Sequence, residues 1–154
     1  MDELIIRKKE ITDIIPWNLL LLADPSRENV QKYIDHGEIF LAYKDTVLVG
    51  EYVLTKEAND TVELKNLAVD EQYQNKGIGK KLVEDVIERL KKQNAKRVEV
   101  GTGNSSLSQL SLYQKCGFRI IGIDKDFFVK NYKEKIMENG IECRDMIRLA
   151  INFD

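Results

Sequence analysis

Apolar residues at Ile78, Leu82, Val83, Val86, Ile87 and Leu90 step by four, one, three, one and three. That spacing is one face of an α-helix, and it predicts a long amphipathic helix opening at Ile78, with Asn94 as its C-terminal stop. Upstream the pattern is that of strands. Thr61–Val69 reads as one, entered from the turn Ala58-Asn59-Asp60, and residues 39–43 and 47–54 are two β-rich runs joined through Lys44-Asp45-Thr46 as a hairpin. Residues 4–10 form a first strand. Residues 13–22 and 25–35 read as two short helices, the second with Asp24 as N-cap and Pro25 at its first helical position. Beyond the long helix, residues 97–100 make a fifth strand, and residues 105–116 a helix stopped by Gly117, where a left-handed residue is wanted. Residues 118–123 and Met146–Asn152 complete the sheet.

The strand–helix–strand unit in the middle implies a parallel pair with a right-handed crossover, whereas everything earlier looks antiparallel. The expected class is therefore α/β (α+β), with a mixed, mostly antiparallel sheet of six to seven strands. No repeat, low-complexity tract or linker divides the 154 residues, so a single domain over 1–154 is expected. Residues 124–145 are a long connection for a domain of this size, and such loops are often functional.

Where the long helix begins, the chain reads Gln74-Asn75-Lys76-Gly77-Ile78-Gly79. Two glycines let the backbone approach an anion, and the free N–H groups of the first helical turn point at it. Lys76, Lys80 and Lys81 add positive charge at the end where the helix dipole is already positive. A glycine turn opening an ordinary surface helix would look the same in isolation. The strand before it and the segment Leu112-Tyr113-Gln114-Lys115-Cys116-Gly117-Phe118 after it change that. In that order the three pieces resemble the Gcn5-related N-acetyltransferase (GNAT) superfamily, whose acetyl-CoA signature is Gln/Arg-x-x-Gly-x-Gly/Ala after a strand, followed by a helix ending Leu-Tyr-x-Lys-x-Gly-Phe. The match covers about residues 60–124.

The resemblance implies a GNAT-like sheet with helices on both faces, acetyl-CoA as cosubstrate, and transfer of its acetyl group to a primary amine of a small molecule or peptide. It places pyrophosphate on Gln74, Asn75, Lys76, Gly77, Ile78, Gly79 and Lys80, and the pantetheine arm along the exposed edge of Leu67, Ala68 and Val69, at a splay between the fourth and fifth strands. A backbone N–H near Leu67 would then stabilise the oxyanion of the reacting thioester. Glu63 matches the glutamate that several members use as general base, and period two puts it on the same strand face as Leu67. A solvated strand glutamate paired with a lysine is the alternative. Tyr113 matches the tyrosine that points at the CoA sulfur, where a phenol can donate to the leaving thiolate. The family's usual asparagine, seven residues before this tyrosine, is Ser106 here, and Asn104 lies two residues upstream; either can contact the cofactor or cap the helix. A non-catalytic CoA- or acyl-CoA-binding module is the competing class.

Composition narrows the partners. A net charge of −2 gives no basic field for nucleic acid or an anionic membrane, and the nearest thing to a long apolar run, residues 19–23, is far too short to span a bilayer. Met1-Asp2-Glu3 carries acids where a secretory leader carries bases, which points to the cytoplasm. Cys116 and Cys143 lack metal-site spacing, and His36, beside Gly37, suits a helix end, so no metal is expected. A homodimer is compatible with the sequence. Trp17, Tyr33, Tyr43, Tyr52, Phe127, Phe128 and Tyr132 are the aromatics that could line an acceptor pocket, and the resemblance implies that segment 124–145 borders it.

Overall fold

The computed structural model describes residues 3–153. Strand β1 (Leu4–Lys8) leads to helices α1 (Trp17–Ala23) and α2 (Arg27–Ile34). An antiparallel meander follows: β2 (Glu38–Lys44), β3 (Val47–Lys56) and β4 (Thr61–Val69). A 3₁₀ turn at Glu71–Tyr73 delivers the chain to α3 (Ile78–Lys92), which crosses back to β5 (Arg97–Gly103), parallel to β4. Then come α4 (Leu107–Lys115), β6 (Arg119–Asp124), α5 (Phe127–Asn131), the small hairpin β7 (Met137–Glu138) and β8 (Ile141–Glu142), and β9 (Met146–Asn152). The main sheet has seven strands in the order β1-β2-β3-β4-β5-β9-β6. The mixed sheet expected from sequence is present.

Helices cover both faces because the central strands are apolar on both. The α3 stripe of Ile78, Leu82, Val83, Val86 and Leu90 packs with Tyr52, Leu54, Leu64 and Val98 on one face, joined by Tyr113 of α4. On the other, Leu20 of α1 and Val30 of α2 cover Ile39, Leu41 and Val53. Asn94 takes the left-handed conformation just past α3, and Gly117, at φ +105°, does so past α4. Both stops fall where the sequence put them.

The entry to the helical layer differs from expectation. The first helix starts at Trp17 rather than residue 13, because Asp13 is taken by a turn: its Oδ2 accepts from the Glu10 N–H (2.8 Å) and from Arg7 Nη1 (2.7 Å). Pro16 also disfavours helical backbone at the residue before it. The cap of α2 is Ser26, whose Oγ accepts from the Asn29 N–H (3.2 Å), so Asp24 and Pro25 stand outside the helix. The connection over 124–145 carries α5 and the β7–β8 hairpin instead of irregular loop. Among the described residues no helix is long and apolar enough to cross a membrane, and no cluster of His, Cys, Asp and Glu is placed to hold a metal ion.

Candidate active site

The splay between β4 and β5 organises the site. These strands pair only from Thr61↔Arg97 to Leu64↔Val100; beyond that β5 continues with β9 through Gly103, and Lys65 to Val69 have no neighbour on that side. The Ala68 carbonyl lies against Gly50 of β3, 3.0 Å from where a Cβ there would stand. Strand alternation therefore turns the backbone groups of Leu67 and Val69 toward the open side. Gln74 spans the mouth of the gap, with its Nε2 donating to the Val69 carbonyl at 3.0 Å.

A β-bulge at Lys65 sets which side chains face which way. Leu54 pairs Leu64, but Val53 pairs Asn66, so Lys65 is the extra residue. Leu64 and Leu67 both pack toward α3, opposite Leu54 and Tyr52, whereas Glu63 sits opposite Thr55 on the face of α1 and α2. The expectation that Glu63 and Leu67 share a face is thus overturned: the inserted residue flips the alternation between them. The two sides meet through the splay. Glu63 is ion-paired with Lys65 (3.3 Å) and, more distantly, with Arg148 (4.0 Å).

The open edge runs into the turn before α3. Leu67, Ala68 and Val69 form one wall of a groove; Gln74, Asn75 and Gly77, with Ile78 and Gly79 at the helix start, form its end. Gly77 is the N-cap at φ +81°, and no side chain caps α3, so the first-turn N–H groups are free to meet an anion. Gly79 packs close to Leu112 of α4, 3.4 Å from where its Cβ would be. Lys76 and Lys80 do not border the groove. Lys76 Nζ lies over the Tyr73 ring, 5.4 Å from its centroid, and Lys80 is exposed. Both belong to the turn and first helical turn at the groove's end, where they add positive charge. A diphosphate with an amide-bearing arm fits this arrangement: uncapped N–H groups for the anion and an unpaired strand edge for the amides.

Inward, the groove opens into a chamber lined by Leu67, Ser106, Gln109 and Tyr113. Tyr113 is 5% exposed and held edge-on against Phe118, with ring centroids 5.6 Å apart. Burial pushes its phenol above the ordinary range, reinforced by Glu51 and Cys116, so it stays a proton donor. Ser106 occupies the N-cap position of α4 but makes no cap bond; its Oγ donates to Glu138 Oε1 at 2.8 Å, latching α4 to the β7–β8 hairpin. Asn104 does not border the groove, and its side chain is engaged by the returning chain. Its Nδ2 donates to the Glu142 carbonyl (3.2 Å), and its Oδ1 accepts from the N–H groups of Arg144 (2.8 Å) and Asp145 (2.9 Å). It is a strut for the returning chain.

The chamber continues past Asp24, Leu64 and Met146 into a cleft on the α1/α2 face that holds Glu63, Tyr33, His36, Phe127 and Arg148. Phe128 and Tyr132 border the chamber. Of the candidate aromatics, Tyr33, Phe127, Phe128 and Tyr132 therefore line the path. Trp17 instead lies under Arg27, Tyr43 under Arg7, and Tyr52 is core, its hydroxyl donating to Asp85 at 2.7 Å. Two groups carried no sequence signal. Glu51 on β3 is fully buried with neither oxygen partnered, and burial pushes its carboxyl well above the ordinary range. Asn66 Nδ2 donates to the Leu20 carbonyl (3.0 Å) and to Tyr33 Oη (2.9 Å).

Comparisons with known proteins point to one family. The sequence model of the Acetyltransferase (GNAT) family matches residues 9–118. An uncharacterized N-acetyltransferase of Bacillus subtilis (strain 168), YvbK, is 53% identical over 153 residues, 99% of either chain. A crystal structure of a GNAT family acetyltransferase from Elizabethkingia anophelis with acetyl-CoA bound is 48% identical and superposes with a TM-score of 0.96, covering 99% of this chain and 100% of its own. A Bacillus subtilis acetyltransferase in complex with CoA is 53% identical at a TM-score of 0.92, covering 98% and 99%. The chain belongs to the GNAT family of acetyltransferases.

Proposed function

We propose that this acetyltransferase, as one domain over residues 1–154, moves the acetyl group of acetyl-CoA to a primary amine of a small molecule or peptide by direct attack, with Tyr113 and Glu63 as its acid and base. The observation that carries this reading is a continuous path. The cradle at Gly77, the free edge at Leu67, the Tyr113 phenol and the Glu63 cleft border one groove that passes through the splay from one sheet face to the other. When bound, acetyl-CoA supplies an activated acyl carbon and a thiolate leaving group. Leu67, Ala68 and Val69 offer backbone partners to its arm, Ser106 and Gln109 border its inner part, and Tyr113 holds a proton for the sulfur.

An alkyl ammonium has a pKa of about 10.4, so an acceptor amine must lose a proton before it attacks near neutral pH. Glu63 faces the acceptor side and is placed to take it. With Glu63→Gln, the rate is expected to rise about tenfold per pH unit below the amine's pKa, while the wild type levels off sooner. Overlapping pH–rate profiles remove Glu63 from the mechanism and leave it as the partner of Lys65.

A homodimer through β6 is part of this proposal. That strand is a sheet edge and leaves Ile120, Ile121 and Ile123 about half exposed or more, at 52%, 49% and 62%. Its sequence, Arg119-Ile-Ile-Gly-Ile-Asp124, is self-complementary in antiparallel pairing, which sets Arg119 against Asp124 of the partner subunit. Sedimentation velocity is expected to give a dimer that Ile121→Lys converts to monomer, since an edge lysine blocks strand addition. A monomeric wild type ends the idea.

A further inference from the structure

Asp24 stands where the Tyr113 chamber meets the acceptor cleft, and it borders both. Its oxygens accept from three neutral donors: Oδ1 from Tyr132 Oη (2.8 Å) and the Ser26 N–H (3.1 Å), Oδ2 from Tyr33 Oη (3.2 Å). Tyr33 is fixed in turn by Asn66 of β4 and lies on α2, while Tyr132 ends α5. The start and body of α2 and the end of α5 thus hold one carboxylate, with β4 bracing Tyr33 from behind. Among the described residues no lysine, arginine or histidine pairs with it. The cations that line the cleft are engaged elsewhere: Lys32 with Glu28, Lys65 with Glu63, and Arg148 with Glu63, Glu99 and Asp124.

A half-buried carboxylate needs compensation, and hydroxyl donors supply only part of it. We infer that Asp24 is the anchor for the acceptor, which enters as a primary alkylammonium ion and completes the ion pair there, its carbon skeleton against the rings of Tyr33, Tyr132 and Phe127. Aromatic faces also attract such a cation. This rests on the acetyltransferase reading above, because it takes the cleft beyond Tyr113 to be the acceptor's. It assigns binding to Asp24 and leaves proton removal to Glu63. Acceptors whose amine carries a neighbouring cationic or apolar group suit the site; an acceptor without a protonatable amine does not.

The test is calorimetric titration of the CoA-saturated protein at pH 7 with phenethylamine, which is cationic there, and with 3-phenyl-1-propanol, its uncharged analogue. The wild type is expected to prefer the ammonium by about tenfold or more, the size of one charge-assisted hydrogen bond. Asp24→Asn keeps the shape and an oxygen for Tyr132, and it is expected to erase the preference while retaining the rise in Tm on adding CoA. Asp24→Glu should restore much of the preference. A wild type that binds both probes equally, or neither, overturns the inference without any variant, so a misfolded Asp24→Asn does not protect it. A preference that survives in Asp24→Asn overturns it as well. Thiol release from acetyl-CoA over a panel of phenethylamine, tryptamine and putrescine separates the two readings. Turnover that ignores Asp24 defeats only the anchor, and an Asp24-dependent preference without turnover of any amine supports the anchor while defeating the amine acetyltransferase.

Discussion

Tyr113→Phe is expected to lower kcat by about 10²–10⁴-fold, the usual contribution of a positioned general acid, while the affinity for acetyl-CoA stays nearly unchanged. The ring is the buried member of α4, packed edge-on against Phe118, and phenylalanine fills the same space. Among the described residues the Tyr113 hydroxyl makes no hydrogen bond, yet it is not among the sealed, unsatisfied polar atoms. It opens on the chamber, free to bond what binds there. On the proposed mechanism, losing it removes a donor that matters only as negative charge builds on the departing sulfur, so the loss falls on kcat rather than on cofactor binding. Burial keeps the phenol protonated well past neutral pH. The wild-type rate is therefore not expected to fall through Tyr113 ionisation on the approach to pH 10. Single-turnover acetyl transfer checks both points; an unchanged chemical rate in Tyr113→Phe reduces the residue to packing.

Much of this site is written locally in the chain, which is why it was legible. The cradle is one turn followed by one helix, and Gly77, Asn94 and Gly117 mark boundaries by backbone conformations that few residues adopt. The stripe of α3 and the span of β4 follow from periodicity alone. What sequence could not carry is a change of register or a long-range partner. The bulge at Lys65 is invisible because β4 is covered on both faces, so its burial alternates from Thr61 to Val69 as if nothing were inserted. Glu63 consequently lies opposite the face that simple alternation predicts. Asp24-Pro25-Ser26 offers two capping residues, and the choice of Ser26 was made by Tyr33 and Tyr132, the latter 108 residues away, which take Asp24 for themselves. Asn104 was singled out by its place before α4, but its partners, the backbone of residues 142–145, come from a later loop. Lys76 is drawn over the Tyr73 ring, 5.4 Å from its centroid, a placement that no local pattern announces.

Gly77→Glu is expected to weaken CoA binding by about tenfold or more, and the comparison with Gly77→Ala and Gly77→Lys shows why. A Cβ on Gly77 meets nothing within 4 Å, so alanine brings no clash, only a left-handed φ of +81°. That strain is about 1–2 kcal/mol of stability. CoA binding by Gly77→Ala should remain close to wild type, since the first-turn N–H groups stay uncapped. Glutamate adds the same strain, but its carboxylate reaches the positive end of the α3 dipole and offsets part of it. Gly77→Glu should therefore melt no lower than Gly77→Ala. The same carboxylate then occupies the N–H groups that the diphosphate needs and repels its charge. Stability and binding separate, which no general damage to the fold would produce. Gly77→Lys, equally long and of opposite sign, should bind CoA better than Gly77→Glu despite losing the helix-dipole benefit. Thermal melts with and without CoA, together with calorimetric titration of CoA, read all three variants. If Gly77→Glu binds CoA as tightly as the wild type, the phosphates lie elsewhere and the opening of α3 is only a turn.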